Sequence, residues 1–453
     1  MATMMNSYEL KRRMLPELYK VLIPAVGVPL SLSTATAIHA VQGIRQFVHH
    51  HKINRNTPLT VPEGAGIPPL SIDEAVAHLP IDEFEPLNFD GVTATTLKAL
   101  PDIAPMYFDS GVRLRGRVYG YSRHFHEALI PLSGGTAISA YIGMHHCKLP
   151  RPGLLIVHGL LNSKTQDLVR VVTQKAYYYW RFNVCAIDLR GAGRSAETSS
   201  VPSSPGALEA GDILDVVRFL KRFVNFTSVG VLGFSLGAGA AINAAARSGA
   251  QSLIDGGLFA VSPPLDLRHA LTRLDQPPSD EEFLPTYFYF QYLLKRMLSH
   301  SEFMRYHIHE AEARGKPGGD IEGFGDYLKY VAEGYLHTPD NKKRSLEAFR
   351  DALIKISDAG RALRRVRIPS FVLASKDDPL TCVTPTYVEN LERARRVNPN
   401  VRCLLTERGG HAAYVVVNPS WFYKMIRRWF TYWGRWETKK RDPYWPAEES
   451  GGS

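Results

Sequence analysis

The chain has 453 residues, 45% of them hydrophobic and 22% charged, a balance that excludes a disordered or fibrous protein. Its formal net charge is +10. No zinc-finger spacing, RNA-recognition signature or long Lys/Arg block accompanies that charge, so we assign it to solvated surface, place anionic lipid next, and expect no nucleic-acid partner. The four cysteines, Cys147, Cys185, Cys382 and Cys403, are far apart and form no CxxC pair, which argues against a disulfide framework or a zinc site. Cys185 and Cys403 lie in apolar runs and are expected to be buried.

Residues 1–111 read as an extension rich in proline and turn signals. Within it, Val21–Val41 contains no Asp, Glu, Lys or Arg and follows Lys11, Arg12, Arg13 and Lys20. The length suits a bilayer span, but Pro24, Pro29, His39 and interspersed Ser and Thr leave the stretch weakly apolar. A membrane anchor, a signal peptide, an interfacial helix and a helix docked on the domain all stay open. The expected location is the cytoplasm or a membrane surface reached through this segment. His49-His50-His51 and, further on, His145-His146 are clusters without the carboxylates or cysteines that would complete a metal site.

The core is expected over residues 112–262 and 346–433. Leu129–Met144 reads as a hairpin turning at Ser133-Gly134-Gly135-Thr136. Short apolar runs then alternate with helical patterns, which predicts an α/β fold with a mostly parallel, doubly wound sheet. The strands are Leu154–His158, Phe182–Ile187, Ser228–Gly233, Leu258–Val261, Ser370–Ala374 and Val401–Leu405. Ile213, Val217, Leu220 and Val224 fall at helical spacing and mark a crossover helix with one buried face. Residues 263–345 interrupt the pattern. They carry no strand signal, and Phe283–Leu298 is aromatic at helical period, so a helical cap over the sheet is expected. An amphipathic helix, Pro419–Trp433, closes the fold, and residues 434–453 read as a flexible tail.

The chemistry centres on Gly233-Phe234-Ser235-Leu236-Gly237. A serine hydroxyl becomes a nucleophile when a base takes its proton and the backbone exposes it. Glycines two before and two after Ser235, with a strand preceding and a helix of small residues following, make the sharp strand-to-helix turn that does the exposing. The acid and then the histidine should follow in the chain. His411, in Glu407-Arg408-Gly409-Gly410-His411 beyond the last strand, is the candidate base. Asp377 and Asp378 both follow the preceding strand. Asp378, immediately before the Pro379-Leu380-Thr381 turn, is the chosen acid, and Asp377 is assigned to holding the turn. The oxyanion hole is expected from the N–H of Leu236 and that of Leu160, with Leu161 the alternative to the latter. His158 is expected to brace the Leu160 loop. No metal or organic cofactor is called for.

His158-Gly159-Leu160, Asp188-Leu189-Arg190-Gly191-Ala192-Gly193-Arg194-Ser195 and the Gly233–Gly237 elbow resemble stretches found across α/β hydrolases. Ser262-Pro263-Pro264-Leu265-Asp266-Leu267, Lys376-Asp377-Asp378-Pro379, Glu407-Arg408-Gly409-Gly410-His411 and Ser345–Asp351 resemble the YheT-like group more specifically. The resemblance covers residues 112–433. It implies an α/β-hydrolase fold and esterase or lipase activity on small-molecule or lipid acyl esters. Some members of that group pass the acyl group to an alcohol, and several eukaryotic ones carry an N-terminal membrane anchor. The usual Gly-Gly-His-x-Gly-Phe stands here as Gly409-Gly410-His411-Ala412-Ala413-Tyr414, without the glycine after the histidine. A non-catalytic binding protein on the same fold is the rival from another class. A halide-cleaving enzyme is disfavoured by serine at the elbow.

Overall fold

In the computed structural model of the chain, the residues described are 71–107, 121, 124–145, 151–198, 204–224, 226–247, 249–275, 345–381 and 383–435. Val21–Val41, His49–His51, His146, Cys147, Cys382, the expected cap helix Phe283–Leu298 and the tail from residue 436 lie outside them. The chain divides into two units, residues 1–60 with 99–120 and residues 61–98 with 121–453. Of the first, only the helical residues 99–107 are described.

The described strands form one 8-stranded sheet: β1 Phe125–Pro131, β2 Ala137–Gly143, β3 Arg151–Val157, β4 Asn183–Ile187, β5 Phe226–Phe234, β6 Leu258–Val261, β7 Ser370–Ser375 and β8 Val401–Thr406. Their order is β1-β2-β4-β3-β5-β6-β7-β8. β1 and β2 form the expected antiparallel hairpin, β2 runs antiparallel to β4, and all pairs from β4 to β8 are parallel. The chain therefore passes from β3 to β4 on one side and returns to β5 on the other. That reversal lies at β3 and β5, and sheets of this kind bind ligands beyond the carboxyl ends of the strands at such a point,.

Helices among the described residues include α1 Ile72–Ala77, α2 Gly91–Tyr107, α3 Asp167–Tyr178, α4 Glu209–Phe223, α5 Leu236–Ala245, α6 Leu267–Asp275, α7 Leu346–Ser357, α8 Ala359–Leu363, α9 Pro385–Val397 and α10 Pro419–Trp433. The central strands are buried on both faces, as near-continuous apolar runs require. Leu155 and Val157 of β3 join Val217, Ala241 and Leu391 from α4, α5 and α9 in one core. Their neighbours Leu154 and Ile156 join Val172 of α3 and Met425 and Trp429 of α10 in the other. In α10, the buried residues Trp421, Phe422, Met425, Ile426, Trp429 and Phe430 recur at helical spacing on one face,.

Two details differ from the sequence expectation. Residues 71–98 belong with the core and not with an extension ending at 111. Asp73 pairs with Arg402 of β8, the Trp421 indole N–H donates to the Pro80 carbonyl at 2.6 Å, and Leu87 N–H donates to the Val417 carbonyl. The proline and turn signals there reflect a chain that wraps the core in short pieces. Cys185 is buried as expected, but Cys403 is only half-buried, because its face of the edge strand β8 lacks a neighbour beyond. No helix among the described residues is long and apolar enough to cross a membrane.

Candidate active site

The carboxyl edge of the sheet gathers the backbone strain. Among the described residues, the non-glycine positions with positive φ are Leu161, Arg181, Ser235, Ser262 and Ala412. All but Arg181 follow the carboxyl ends of strands, namely β3, β5, β6 and β8. Such conformations cost of order 1–3 kcal/mol each and persist where the surroundings enforce them.

Ser235 has φ 53° and ψ −120° and caps α5. Its N–H donates to the Val261 carbonyl at 2.9 Å, which ties the elbow to β6. Glycine is needed on its flank because a Cβ on Gly237 would lie 2.2 Å from the His158 carbonyl oxygen. Gly159 is similarly close: a Cβ there would meet the Ser235 Cβ at 2.9 Å. Leu236 opens α5, where the first N–H groups have no partner within the helix. Leu160 stands in the turn after β3, beside the positive-φ Leu161. The loops bearing Leu160 and Ser235 thus meet.

His158 fixes the first of these loops. Its Nε2 accepts from the Leu189 N–H at 2.9 Å, so its Nδ1 carries the proton donated to the Gly159 carbonyl at 2.7 Å,. Complete burial holds its pKa below the usual value and the ring neutral. A buried ion pair lies behind. Lys164 Nζ is 2.5 Å from an Asp188 carboxylate oxygen and 2.8 Å from Ser139 Oγ, and it stands over the Tyr141 ring. Asp188 also accepts from the Lys164 and Arg194 N–H groups, and Arg190 pairs with Asp212. The Asp188–Ser195 run is therefore a structural joint that locks β4 to the β3 loop.

His411 and Asp378 are both buried. The Nδ1 atom of His411 lies 2.9 and 3.1 Å from the two carboxylate oxygens of Asp378. An ionised carboxylate only accepts, so Nδ1–H is the donor, which leaves Nε2 as the basic nitrogen of the neutral ring form. One Asp378 oxygen also accepts from the N–H groups of Leu380 and Thr381, at 2.9 and 3.0 Å. Burial works against the Asp378 charge, but the facing imidazole and these hydrogen bonds outweigh it and hold the pKa below the ordinary range,. Asp377 is used differently. Its Oδ1 accepts from the Gly410 N–H at 2.9 Å, and burial raises its pKa.

The histidine loop reaches back toward the serine. Ser262, directly after β6, accepts the Ala412 N–H at 3.0 Å, and β6 pairs with β5, in register Phe234↔Val261. Ser235, Ser262, Asp378 and His411 thus leave four adjacent parallel strands in the order β5, β6, β7, β8. Several residues at this edge had no role in the sequence reading: Thr95, Lys98, Ser262, Ser375 and the Lys164–Asp188 pair. The helix bearing the first two leaves a trace in the sequence, since Asp90 stands as its cap, accepting the Thr93 N–H and hydroxyl,.

His145 also finds a local partner. Its ring stacks on Tyr177 at 4.1 Å and hydrogen-bonds the Tyr177 carbonyl.

A fold of this topology with a strained serine elbow, an acid and a histidine on successive strand ends defines a class. The chain belongs to the α/β-hydrolase fold family, whose model matches residues 152–416. Two proteins of Saccharomyces cerevisiae are similar to it. One is named medium-chain fatty acid ethyl ester synthase/esterase 2, 24% identical over 302 residues that cover 62% of each chain. The other is a monoacylglycerol lipase, 25% identical over 284 residues, covering 62% of this chain and 57% of the relative. The chain thus spans less than two thirds of the length of these curated relatives. The solved esterase Pf2001 of Pyrococcus furiosus is 18% identical, with a TM-score of 0.45, covering 70% of this chain and 98% of that one.

Proposed function

We propose that this protein is a serine hydrolase of carboxylic esters, acting through an acyl-enzyme on Ser235. The observation that carries this reading is the buried Asp378–His411 pair, closed through Nδ1, on the same sheet edge as the strained Ser235. In the proposed sequence His411 Nε2 takes the Ser235 proton as Oγ bonds to the ester carbonyl carbon. The Leu236 and Leu160 N–H groups receive the developing oxyanion. Collapse breaks the C–O bond, and His411 returns its proton to the leaving alkoxide. Water then gives a proton to the same ring as it bonds to the acyl carbon; the acyl C–Oγ bond breaks, the ring returns that proton to Ser235 Oγ, and the acid leaves. Asp378 holds the ring's tautomer and stabilises the imidazolium. No cofactor takes part in these steps.

The names of the yeast relatives support acyl esters of lipid type as substrates, and the motif resemblance supports placement in the YheT-like group. Residues 263–345 would then form a helical cap over the edge, and residues 21–41 would meet the membrane surface. The ethyl ester synthase/esterase relative also favours a second reading, transfer of the acyl group to an alcohol, in which only the acceptor differs.

The test is labelling of the full chain with a fluorophosphonate probe, followed by turnover of p-nitrophenyl esters of graded chain length. Wild-type protein should label at Ser235, and Ser235→Ala should neither label nor turn over. Absence of labelling in the wild type, or equal labelling of the variant, would falsify the hydrolase reading in favour of a binding protein on this fold.

A further inference from the structure

The backbone of the histidine loop is held almost wholly by side chains. Gly410 N–H donates to Asp377 Oδ1 at 2.9 Å, and the Gly410 carbonyl accepts from Ser375 Oγ at 3.0 Å. Ala412 N–H donates to Ser262 Oγ at 3.0 Å. These three partners come from the ends of β6 and β7. Both peptide groups of His411 itself, however, are met from α2. Its N–H donates to Thr95 Oγ1 at 2.8 Å, and its carbonyl accepts from Lys98 Nζ at 2.5 Å.

Thr95 is fully buried, and its hydroxyl proton goes to the Gly91 carbonyl at 2.6 Å. A hydroxyl has one proton, so the second contact must be accepted, and the His411 N–H supplies it. Thr95 and Lys98 lie three residues apart and so share one face of the helix. The helix is seated without slack: a Cβ on Gly91 would fall 1.7 Å from the Asp377 carbonyl oxygen. The first two turns of α2 therefore touch the acid loop at Gly91 and the histidine loop at Thr95 and Lys98,. It lies upstream of the segment that the family model matches, residues 152–416.

We infer that Thr95 and Lys98 are positioning residues for the base, forming a clamp from α2 that fixes where the His411 ring stands at the sheet edge. This rests on the hydrolase reading. The ring's χ angles are set from its Cα, so a peptide free to shift or rotate carries Nε2 with it. A displacement of about 1 Å at a reacting group costs on the order of a hundredfold in rate. Neither side chain needs to touch the substrate, so the effect belongs in kcat and not in KM.

The experiment is steady-state turnover of p-nitrophenyl butyrate by the full chain, with thermal midpoints measured for every variant. Thr95→Val keeps the shape and removes the acceptor; kcat should fall about tenfold to a hundredfold with KM changed less than about twofold. Thr95→Ser restores the hydroxyl and should recover to within about threefold of wild type. Lys98→Met, at a half-buried position, should keep the fold and lose about tenfold in kcat. Wild-type kcat in Thr95→Val or Lys98→Met overturns the clamp. So does a Thr95→Ser as impaired as Thr95→Val, since that outcome marks packing and not hydrogen bonding. If Thr95→Val does not fold, Thr95→Ser and Lys98→Met decide. An inert wild type with Ser235 unlabelled is a different failure, because it removes the hydrolase reading and the clamp together.

Discussion

On the serine side of the sheet edge, position is set by how closely backbones approach. The Gly237 Cα sits under the His158 carbonyl, Gly159 sits against Ser235, and the elbow is pinned to β6 by a main-chain hydrogen bond. On the histidine side, position is set by side chains reaching for backbone. Asp377, Ser375, Thr95, Lys98 and Ser262 each hold one peptide group of Gly410–Ala412. A steric constraint of the first kind is nearly all-or-none, since backbone atoms cannot retreat. A network of the second kind divides its constraint among several bonds, each worth about 0.5–1.5 kcal/mol net, so it should yield by degrees.

The sharpest way to break this contrast is at Gly237. Alanine there would bring a Cβ within 2.2 Å of one backbone oxygen and 2.8 Å of another. We expect Gly237→Ala to lose roughly 3 kcal/mol or more of stability in urea unfolding, together with probe labelling of Ser235. A variant with a wild-type midpoint would show that the elbow has room after all.

Ser262→Ala asks the matching question on the other side. Alanine keeps the Cβ at the positive φ of 49°, so the strain is unchanged and only the acceptor for the Ala412 N–H is removed. The expected loss is about 1–2 kcal/mol, with kcat down about tenfold and labelling of Ser235 retained. A loss as large as that of Gly237→Ala would mean that the histidine loop is no more forgiving than the elbow.

The same difference explains what could be read in advance. The elbow's constraint is written in contiguous residues: a strand, two glycines around a serine, and small residues through Ala245. The sheet is equally local, because β3, β4 and β5 announce themselves as apolar runs between turns. The histidine loop's constraint is distributed. Thr95 is 316 residues from His411 along the chain, and nothing in Gly91–Lys98 distinguishes a clamp from any threonine-bearing helix. The early stretch therefore reads as an extension in sequence, although it packs on β8 and α10. Lys164 and Asp188 were hidden for a related reason. Asp188 lies in a motif visible in the chain and Lys164 does not, and their pairing is a property of the β3–β4 crossover.

Asp377 and Asp378 refine the comparison within two consecutive residues. Asp378 faces an imidazole and N–H donors, and its folded-state pKa lies below the ordinary 3.8. Its contribution to stability is therefore present above 3.8 and is lost as pH falls through the lowered value. Asp377 accepts from the loop's Gly410 N–H, and burial raises its folded-state pKa above 3.8. Its favourable contribution belongs to the protonated form; it is complete below 3.8 and is lost as pH rises through the raised value. Asp377→Asn keeps an acceptor for the Gly410 N–H and removes a charge that burial opposes. At neutral pH it should be at least as stable as wild type, with the advantage shrinking as pH falls toward 3.8, and kcat should change by no more than about threefold. Asp378→Asn should show the reverse, destabilised at neutral pH with the difference closing in acid. Urea midpoints measured from neutral pH down to 3.8 read the Asp377 slope, and midpoints carried below 3.8 read the Asp378 slope,. Parallel slopes for the two variants would mean that both carboxylates serve the ring, and that the histidine loop has lost one of its backbone partners.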